Sequence, residues 1–219
     1  MNKNLEKKLT EKYKSVFINS FEAGGGYGFR YYHGLRTMIY CKNILKIDFF
    51  KNKKINQDAT LIAALFSDIG KLESINKKGE LIYKSKANNN HAEIGGKIVE
   101  KYLSGIIKDK KLIYFISSII SEQHLKQQTS IESKIVKDLD RLDNYGFIQI
   151  WRHITYAHYD KRNIDRLGEF WFQEEANLKA KEYLNKFNFS VIKKIAKRRF
   201  KKLDYLIKEI VRESNGQDI

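Results

Sequence analysis

The chain has 219 residues, of which 42% are hydrophobic and 13% aromatic, so it is not expected to be intrinsically disordered. No stretch approaches the roughly 18 consecutive apolar residues of a transmembrane helix. The charged segment 1–14 lacks the apolar core of a secretory signal. The single cysteine, Cys41, cannot form an internal disulfide and is expected to serve packing. Together these features predict a cytoplasmic protein without a membrane anchor.

The formal net charge of +16 favours anionic partners over cationic ones. The basic excess is largest in segment 176–213, which holds 12 Lys or Arg against four Asp or Glu. Lysine is abundant along the whole chain, so a solvated basic surface is the simpler interpretation of this excess. Nucleic-acid binding stays open as an alternative.

Helical patterning dominates the chain. There is no proline, and apolar residues recur every three or four positions almost everywhere, which predicts an all-α fold with seven to nine helices. A glycine-rich loop at 23–28 precedes a helix that starts near Tyr31, and an apolar helix ends at Phe66. The polar stretch 76–90 is expected to hold either a short hairpin at 80–83 or a substrate-side loop.

The second half of the chain continues the helical pattern. An amphipathic helix is predicted around 112–120, because its apolar residues share one face. A longer apolar stripe, from Ile192 to Ile210 with Lys and Arg between its members, predicts a long C-terminal helix.

Histidines and aspartates of this chain form an ordered series. Three of the five histidines and two aspartates occur in the order His33, Asp68, His91, His124 and Asp140. Imidazole and carboxylate groups together suit divalent manganese, iron, nickel, cobalt or zinc. Four of these residues are expected near helix ends, where a site open to substrate is commonly found: His33, Asp68, His91 and His124. The remaining histidines, His153 and His158, match no motif and are expected to be helix or surface residues.

Four short segments carry a family resemblance. They are YHGLR (32–36), AALFSDIGK (63–71), HAEIG (91–95) and DLDRLD (138–143). In this order they resemble the stand-alone HD-domain phosphohydrolases, and segment 170–213 looks like the helical tail of one bacterial and archaeal branch of that family. The resemblance implies an all-α HD-domain helical bundle with a C-terminal helical extension. It further implies a single HD domain over 1–219, with a core at about 25–160 and a tail at about 168–215.

The resemblance also implies a ligand set. It makes His33, Asp68 and Asp140 ligands of a principal divalent metal ion, which can be manganese, iron, nickel, cobalt, zinc or magnesium. His91 and His124 would complete a second metal position or bind phosphate, with Asp68 bridging the two positions.

Three residues are implied in catalysis. Asp68 would orient or deprotonate the attacking water, whereas Lys71 and Arg141 would face the anionic oxygens of the substrate. A divalent ion polarises the phosphoryl group and lowers the pKa of bound water, which is the chemistry that phosphate-ester hydrolysis needs.

Ser67 departs from the family pattern. The family has a metal-binding histidine directly before the aspartate that Asp68 matches. A serine hydroxyl is shorter and a poorer ligand, so weaker binding with a bias toward harder ions such as manganese or magnesium is expected. Three interpretations stay open: an enzyme that works with a reduced site, a protein that lost catalysis and kept binding, or an artificially altered sequence.

Taken singly, the same residues have structural interpretations. His124 on an amphipathic helix can be a partly buried structural histidine, and His91 can cap its helix. Asp140 can form surface ion pairs of little energetic value, and Lys71 can sit at a helix C-terminus favoured by the helix dipole. Their joint occurrence in order favours the functional interpretation.

Two main functions are therefore predicted. The first is a metal-dependent phosphohydrolase, a phosphomonoesterase or phosphodiesterase, that uses metal-activated water to cleave a phosphate ester of a nucleotide or a similar small anion. The second is a degenerate module that binds a nucleotide or nucleic acid without turnover. A purely structural helical protein is a weaker third possibility. Segment 76–90, between two implied ligands, is the predicted place of substrate selection.

Overall fold

The computed structural model of the protein describes residues 1–173 and 176–219. Within these residues there are twelve α-helices, nine of them with eight residues or more. Extended structure is limited there to a two-stranded sheet of β1 (Phe21–Glu22) and β2 (Gly26–Tyr27). The predicted all-α class is confirmed. No helix of the described residues is both long and apolar enough to cross a membrane.

The chain divides into two compact units. The first unit comprises Met1–Glu22 and Tyr27–Asp140, and the second comprises Ala23–Gly26 and Arg141–Ile219. The predicted division into a core and a tail places its boundary later in the chain, and a single domain over 1–219 stays a prediction.

Eight of the helices lie in or end the first unit. They are α1 (Lys3–Phe17), α2 (Phe29–Ile44), α3 (Asp48–Lys51), α4 (Gln57–Phe66), α5 (Lys86–Asn89), α6 (His91–Leu103), α7 (Lys110–Ser121) and α8 (Ile131–Leu142). Short 3-10 turns follow α4 at Ile69–Ser74 and α7 at Glu122–His124.

Helix α4 forms the centre of the first unit. It begins where the Asn56 side chain accepts a hydrogen bond from the Ala59 amide at 3.0 Å, a typical N-terminal cap. Every residue from 59 to 70 is buried, and α4 packs against α2 and α7. A helix that is apolar on all sides is stable only when neighbours surround it. The residues that follow α4 are therefore held inside the core.

The second unit contains four α-helices and two short turns among the described residues. These are α9 (Phe147–Tyr159), α10 (Asp165–Gly168), a π-helical turn at Glu169–Gln173, α11 (Ala176–Tyr183), a 3-10 turn at Leu184–Lys186 and α12 (Ser190–Ser214). Helix α12 buries the predicted apolar stripe at Ile192, Ala196, Phe200, Leu203 and Ile207. The long C-terminal helix predicted from this stripe is confirmed.

The start of the polar stretch 76–90 folds back on the chain before it, because the Asn76 amide donates to the Glu80 carbonyl and the Ile82 amide to the Ser74 carbonyl, each at 2.9 Å. Its β-type contacts are two isolated bridges, in which Glu80 pairs with Phe21 and Leu81 pairs with Ile75. The segment then ends in α5. The antiparallel pairing at 74–82 is that of a short hairpin-like turn, which begins before the predicted 80–83, and a substrate-side role of the stretch stays a prediction. Cys41 is fully buried, and burial raises the pKa of its thiol, as expected for a packing residue.

Candidate metal centre

Three of the sequence-predicted ligands converge in the first unit. One ligand atom from each of His33, Asp68 and Asp140 lies within 4.8 Å of the others. His33 Nε2 is 3.4 Å from Asp68 Oδ2 and 3.2 Å from Asp140 Oδ1. His33 and Asp68 are 5% and 1% exposed. A group of one imidazole and two carboxylates at this spacing can hold a divalent ion.

Two glycines allow the elements of the centre to approach closely. A Cβ atom on Gly34, directly after His33 in α2, would lie 2.5 Å from the Leu65 carbonyl oxygen of α4. A Cβ atom on Gly70 would lie 2.0 Å from the His91 carbonyl oxygen. Neither space accommodates a side chain, so glycine at both positions lets the backbones that carry the ligands come together.

Asp68 leaves helix α4 and begins a tight turn. Its backbone, at φ −97° and ψ 9°, precedes the 3-10 turn, where the Lys71 amide donates to the Asp68 carbonyl at 2.9 Å. This turn returns Lys71 to the carboxylate, with Nζ 3.1 Å from Asp68 Oδ1. Burial would raise the pKa of the Asp68 carboxyl, but the charges of Lys71 and Arg30 hold that pKa well below its usual range.

Arg30 and Glu22 belong to the same network, although the sequence motifs did not include them. Arg30 Nη1 donates to Asp68 Oδ2 at 2.5 Å, and its Nε and Nη2 donate to the two carboxylate oxygens of Glu22. The one available signal was spacing, because Arg30 precedes His33 by three residues and shares its helix face. No pattern in the sequence marked Glu22.

The two further histidines lie beside the three ligands. His91 Nε2 is 3.2 Å from Asp68 Oδ1, and the rings of His91 and His124 meet edge to face with centroids 4.3 Å apart. His91 Nδ1 is 2.6 Å from the Asn88 carbonyl oxygen, which requires Nδ1 to be the donor. In a neutral His91, the lone pair of Nε2 therefore faces Asp68. Burial and the neighbouring His91 lower the pKa of His124.

Ser67 makes a local helix contact. Its hydroxyl donates to the Ala64 carbonyl at 3.2 Å, and the side chain is fully buried at the end of α4. The hydroxyl proton is thus used within the helix that positions Asp68.

Arg141 lies in the second unit. Its Nη1 donates to the Lys186 carbonyl oxygen, and its predicted contact with substrate stays a prediction. His153 and His158 both lie in α9; His158 is exposed, whereas His153 is partly buried.

The sequence model of the HD domain family matches residues 30–145, more than half of the 219-residue chain. This chain belongs to the HD domain family. All five predicted metal-binding residues fall inside the matched segment. Membership supports a metal-dependent phosphohydrolase in general terms.

Solved structures share the fold of this HD domain protein over nearly its full length. One is YpgQ of Bacillus subtilis in complex with ADP, at 18% identity, covering 99% of this chain and 98% of that chain with a TM-score of 0.67. A second is an HD-superfamily hydrolase from Bacillus thuringiensis, at 22% identity, 98% coverage of both chains and a TM-score of 0.66.

A third structure is a predicted HD superfamily hydrolase from an uncultured Thermotogales bacterium, at 18% identity. It covers 94% of this chain and 91% of its own, with a TM-score of 0.63. At these identities the likeness shows the fold alone, and the HD-domain fold predicted from the sequence is confirmed. Among curated proteins, none matches this chain.

The HD domain's donor atoms fit a divalent cation. Asp68 Oδ1 is buried and accepts no hydrogen bond from any described residue, although Lys71 Nζ and His91 Nε2 lie nearby. Such an unsatisfied buried oxygen is costly unless a cation or a water completes it. A cation held by His33, Asp68 and Asp140 would add a positive charge beside the two carboxylates.

Proposed function

We propose that this HD domain protein is a metal-dependent phosphohydrolase that cleaves a phosphate ester of a nucleotide or a similar small anion. The convergence of His33, Asp68 and Asp140, with an unsatisfied buried oxygen on Asp68, is the observation that carries the proposal. The ADP bound to the structurally similar YpgQ supports a nucleotide as the substrate class.

In this proposal His33, Asp68 and Asp140 would hold the divalent ion. When bound, such an ion supplies a Lewis acid that polarises the phosphoryl group and lowers the pKa of water. His91 and His124 would form a second metal position or bind phosphate. Their rings are neighbours, and His91 Nε2 faces Asp68.

The protein's own charged groups would then orient the reactants. Because its pKa is held low, the Asp68 carboxylate is ionised at neutral pH and is suited to orient the attacking water. The Lys71 ammonium, 3.1 Å from Asp68 Oδ1, is suited to balance negative charge on phosphoryl oxygens. Arg141 is proposed for the same role, as the family motif implies.

The test uses the variants Asp68→Ala and Asp140→Ala. Both should lose bound metal, measured by elemental mass spectrometry, and hydrolysis of a panel of nucleotides and phosphate esters. A matched control is Glu93→Gln, because Glu93 is an exposed carboxylate of α6 paired with Lys97. If both aspartate variants kept full metal content and hydrolysis, the proposal would be abandoned.

The second candidate function is a binding module without turnover, which Ser67 favours because the family's metal-binding histidine is missing there. This function predicts ligand binding that strengthens as salt is lowered, with no product under any divalent ion.

The variant Ser67→His separates the two functions. Restoring the imidazole should increase divalent-ion affinity by about tenfold or more and increase turnover if the remaining centre is catalytic. Ser67→Asn controls for a larger polar side chain at this buried position. Equal, negligible turnover by the protein and by Ser67→His would favour the binding module.

A further inference from the structure

The buried guanidinium of Arg30 contacts Asp68, the carboxylate shared by most contacts of the candidate centre. The Arg30 side chain is 5% exposed, and the side chains of Glu22 and Asp68 are 2% and 1% exposed. Arg30 Nη1 donates to Asp68 Oδ2 at 2.5 Å, on the side of the carboxylate opposite Oδ1. Both oxygens that could bind a metal ion therefore already face a cation: Oδ2 accepts from the Arg30 guanidinium, and Oδ1 lies 3.1 Å from the Lys71 ammonium.

Glu22 holds this guanidinium in place. It accepts hydrogen bonds from Arg30 Nε and Nη2, a two-pronged geometry that fixes the plane of the guanidinium. Glu22 Oε1 also accepts a hydrogen bond from the Tyr83 hydroxyl at 2.6 Å. Because three donors converge on Glu22 inside the protein, moving Arg30 away from Asp68 would break several buried polar contacts at once.

The charges of the cluster favour this arrangement without a metal ion. With Lys71 protonated, Arg30 and Lys71 contribute two positive charges, against three negative charges from Glu22, Asp68 and Asp140. A divalent ion would change the sum from −1 to +1. Without the Arg30 charge, the same ion would bring the sum to zero, which costs less in a buried site.

We propose that Arg30, positioned by Glu22, competes with divalent cations for Asp68 and so lowers the metal affinity of the centre. The inference rests on the metal site of the proposed function, and it assigns Arg30 and Glu22 a positioning role in which neither touches the metal. Ser67 already removes one ligand of the family's set. Together, Ser67 and Arg30 raise the concentration of free metal that the centre needs for occupancy.

The test measures Mn²⁺ affinity by isothermal titration calorimetry on the metal-stripped full chain. Arg30→Gln should bind Mn²⁺ about tenfold tighter or more, because it frees Asp68 Oδ2 and removes a positive charge. Glu22→Gln should bind at least about tenfold more weakly, because Arg30 then has Asp68 as its main countercharge. Arg36→Gln, in the same helix, controls for the loss of any nearby arginine and should leave the affinity unchanged.

A double variant guards against misfolding of Arg30→Gln, which leaves the Glu22 carboxylate buried without its cation. Glu22→Gln/Arg30→Gln removes both charges together and should bind Mn²⁺ about tenfold tighter than Glu22→Gln alone. If these two variants bound Mn²⁺ with equal affinity while the unaltered protein still bound it, the inference about Arg30 would be wrong and the metal centre would stand. Absence of Mn²⁺ binding in the unaltered protein and in every variant would overturn the metal centre, and the proposed function with it.

A second and independent observation is a cavity in the second unit. Its volume is about 440 Å³, within the roughly 300–1,000 Å³ usual for small-molecule sites. Four aromatic side chains are part of its wall: Tyr145, Phe170, Trp171 and Tyr183. Lys179 adds a cationic group to the same wall.

Two polar groups of the cavity wall have hydrogen-bond partners. The Tyr145 hydroxyl donates to the Ala180 carbonyl at 2.9 Å, and Trp171 Nε1 donates to Asp204 Oδ1 at 3.0 Å. Gln149 Nε2 lies 3.3 Å from His153 Nε2, whereas Gln149 Oε1 is buried and accepts no hydrogen bond from the described residues. Its neighbour His153 is uncharged at neutral pH, since burial and Arg152 lower the His153 pKa to about 4.

The geometry points to a site for a planar nitrogen heterocycle, such as a nucleobase, that stacks on these rings and donates an N–H to Gln149 Oε1. A ligand that donates an N–H to this amide oxygen should bind more tightly than a ligand without a donor, because the second ligand leaves the oxygen unpaired.

Calorimetric titration with adenosine and with N6,N6-dimethyladenosine tests this site. Adenosine should bind about tenfold tighter, because only its exocyclic amine can donate. Gln149→Met should abolish that preference, Gln149→Glu should keep it by retaining an acceptor, and the exposed-site control Glu93→Gln should leave it unchanged. No adenosine binding at millimolar concentration, or equal binding of both compounds to the unaltered protein, would overturn the assignment.

Discussion

At Asp68, a single buried carboxylate faces four basic side chains: Arg30, His33, Lys71 and His91. No other residue of the candidate centre faces so many basic side chains. Its ionisation is therefore a structural requirement of the apo protein as well as a requirement for metal binding, because Arg30 and Lys71 would otherwise be buried with too little countercharge.

This requirement predicts a large stability effect. Asp68→Asn should lower the free energy of unfolding by about 3 kcal/mol, because it leaves buried cations uncompensated. Asp140→Asn should lower the free energy of unfolding by clearly less than Asp68→Asn, since the Asp140 side chain is 25% exposed and its ion-pair contact is with His33. Urea denaturation of the metal-free variants, followed by circular dichroism, gives both values. Equal losses in the two variants would contradict this interpretation of Asp68.

The sequence predicted the three residues that converge at the candidate centre better than their surroundings. His33, Asp68 and Asp140 stand in segments that resemble the HD-domain family, so their convergence was predicted through that resemblance. Glu22 could not, because its role depends on the turn between β1 and α2 placing it against Arg30. Long-range ion pairs of this kind leave no periodic trace in a sequence.

Among the elements, the 3-10 turn after α4 is the one that brings the centre together. It places Asp68 and Lys71 against the start of α6, and it does so at a separation that admits no side chain at Gly70. The predicted helices lie close to the observed ones, because amphipathic periodicity is local information. The turn was not predicted, since its tightness depends on the approach of α6.

Gly70→Ala should therefore destabilise the protein by roughly 3 kcal/mol, because the added methyl would lie 2.0 Å from the backbone oxygen of His91. Gly105→Ala is the matched control. A Cβ atom there meets nothing within 4 Å, so its effect should stay within about 0.5 kcal/mol. Thermal or urea unfolding measures both effects, and a Gly70→Ala variant as stable as Gly105→Ala would disprove the close approach.

At the scale of the whole molecule, the chain combines a high positive charge with buried groups that resist protonation. His153 shows the effect most clearly, because its pKa falls from 6.5 to about 4 in the folded protein. Between these two values the unfolded chain binds more protons than the folded one. Acid therefore favours unfolding in this window, and the stability contributed by neutral His153 is lost as the pH falls.

The pH dependence can be measured directly. Between pH 7 and pH 4.5, the unaltered protein should lose about 2 kcal/mol more unfolding free energy than His153→Gln, which has no titrating ring. Urea titrations at both pH values give the difference. If both proteins lost the same unfolding free energy, the His153 ring would be protonated in the folded state near its ordinary pKa of 6.5.

The placement of tryptophan offers a further use. The chain has two tryptophans, Trp151 and Trp171, and both lie in the second unit, whereas the first unit relies on tyrosine for its ultraviolet signal. Tryptophan fluorescence therefore reports the melting of one unit, while far-ultraviolet circular dichroism reports helix content in both. If the two signals change at the same urea concentration, the units unfold as one cooperative body. Separate midpoints would show that the metal-binding part of the chain has a stability of its own.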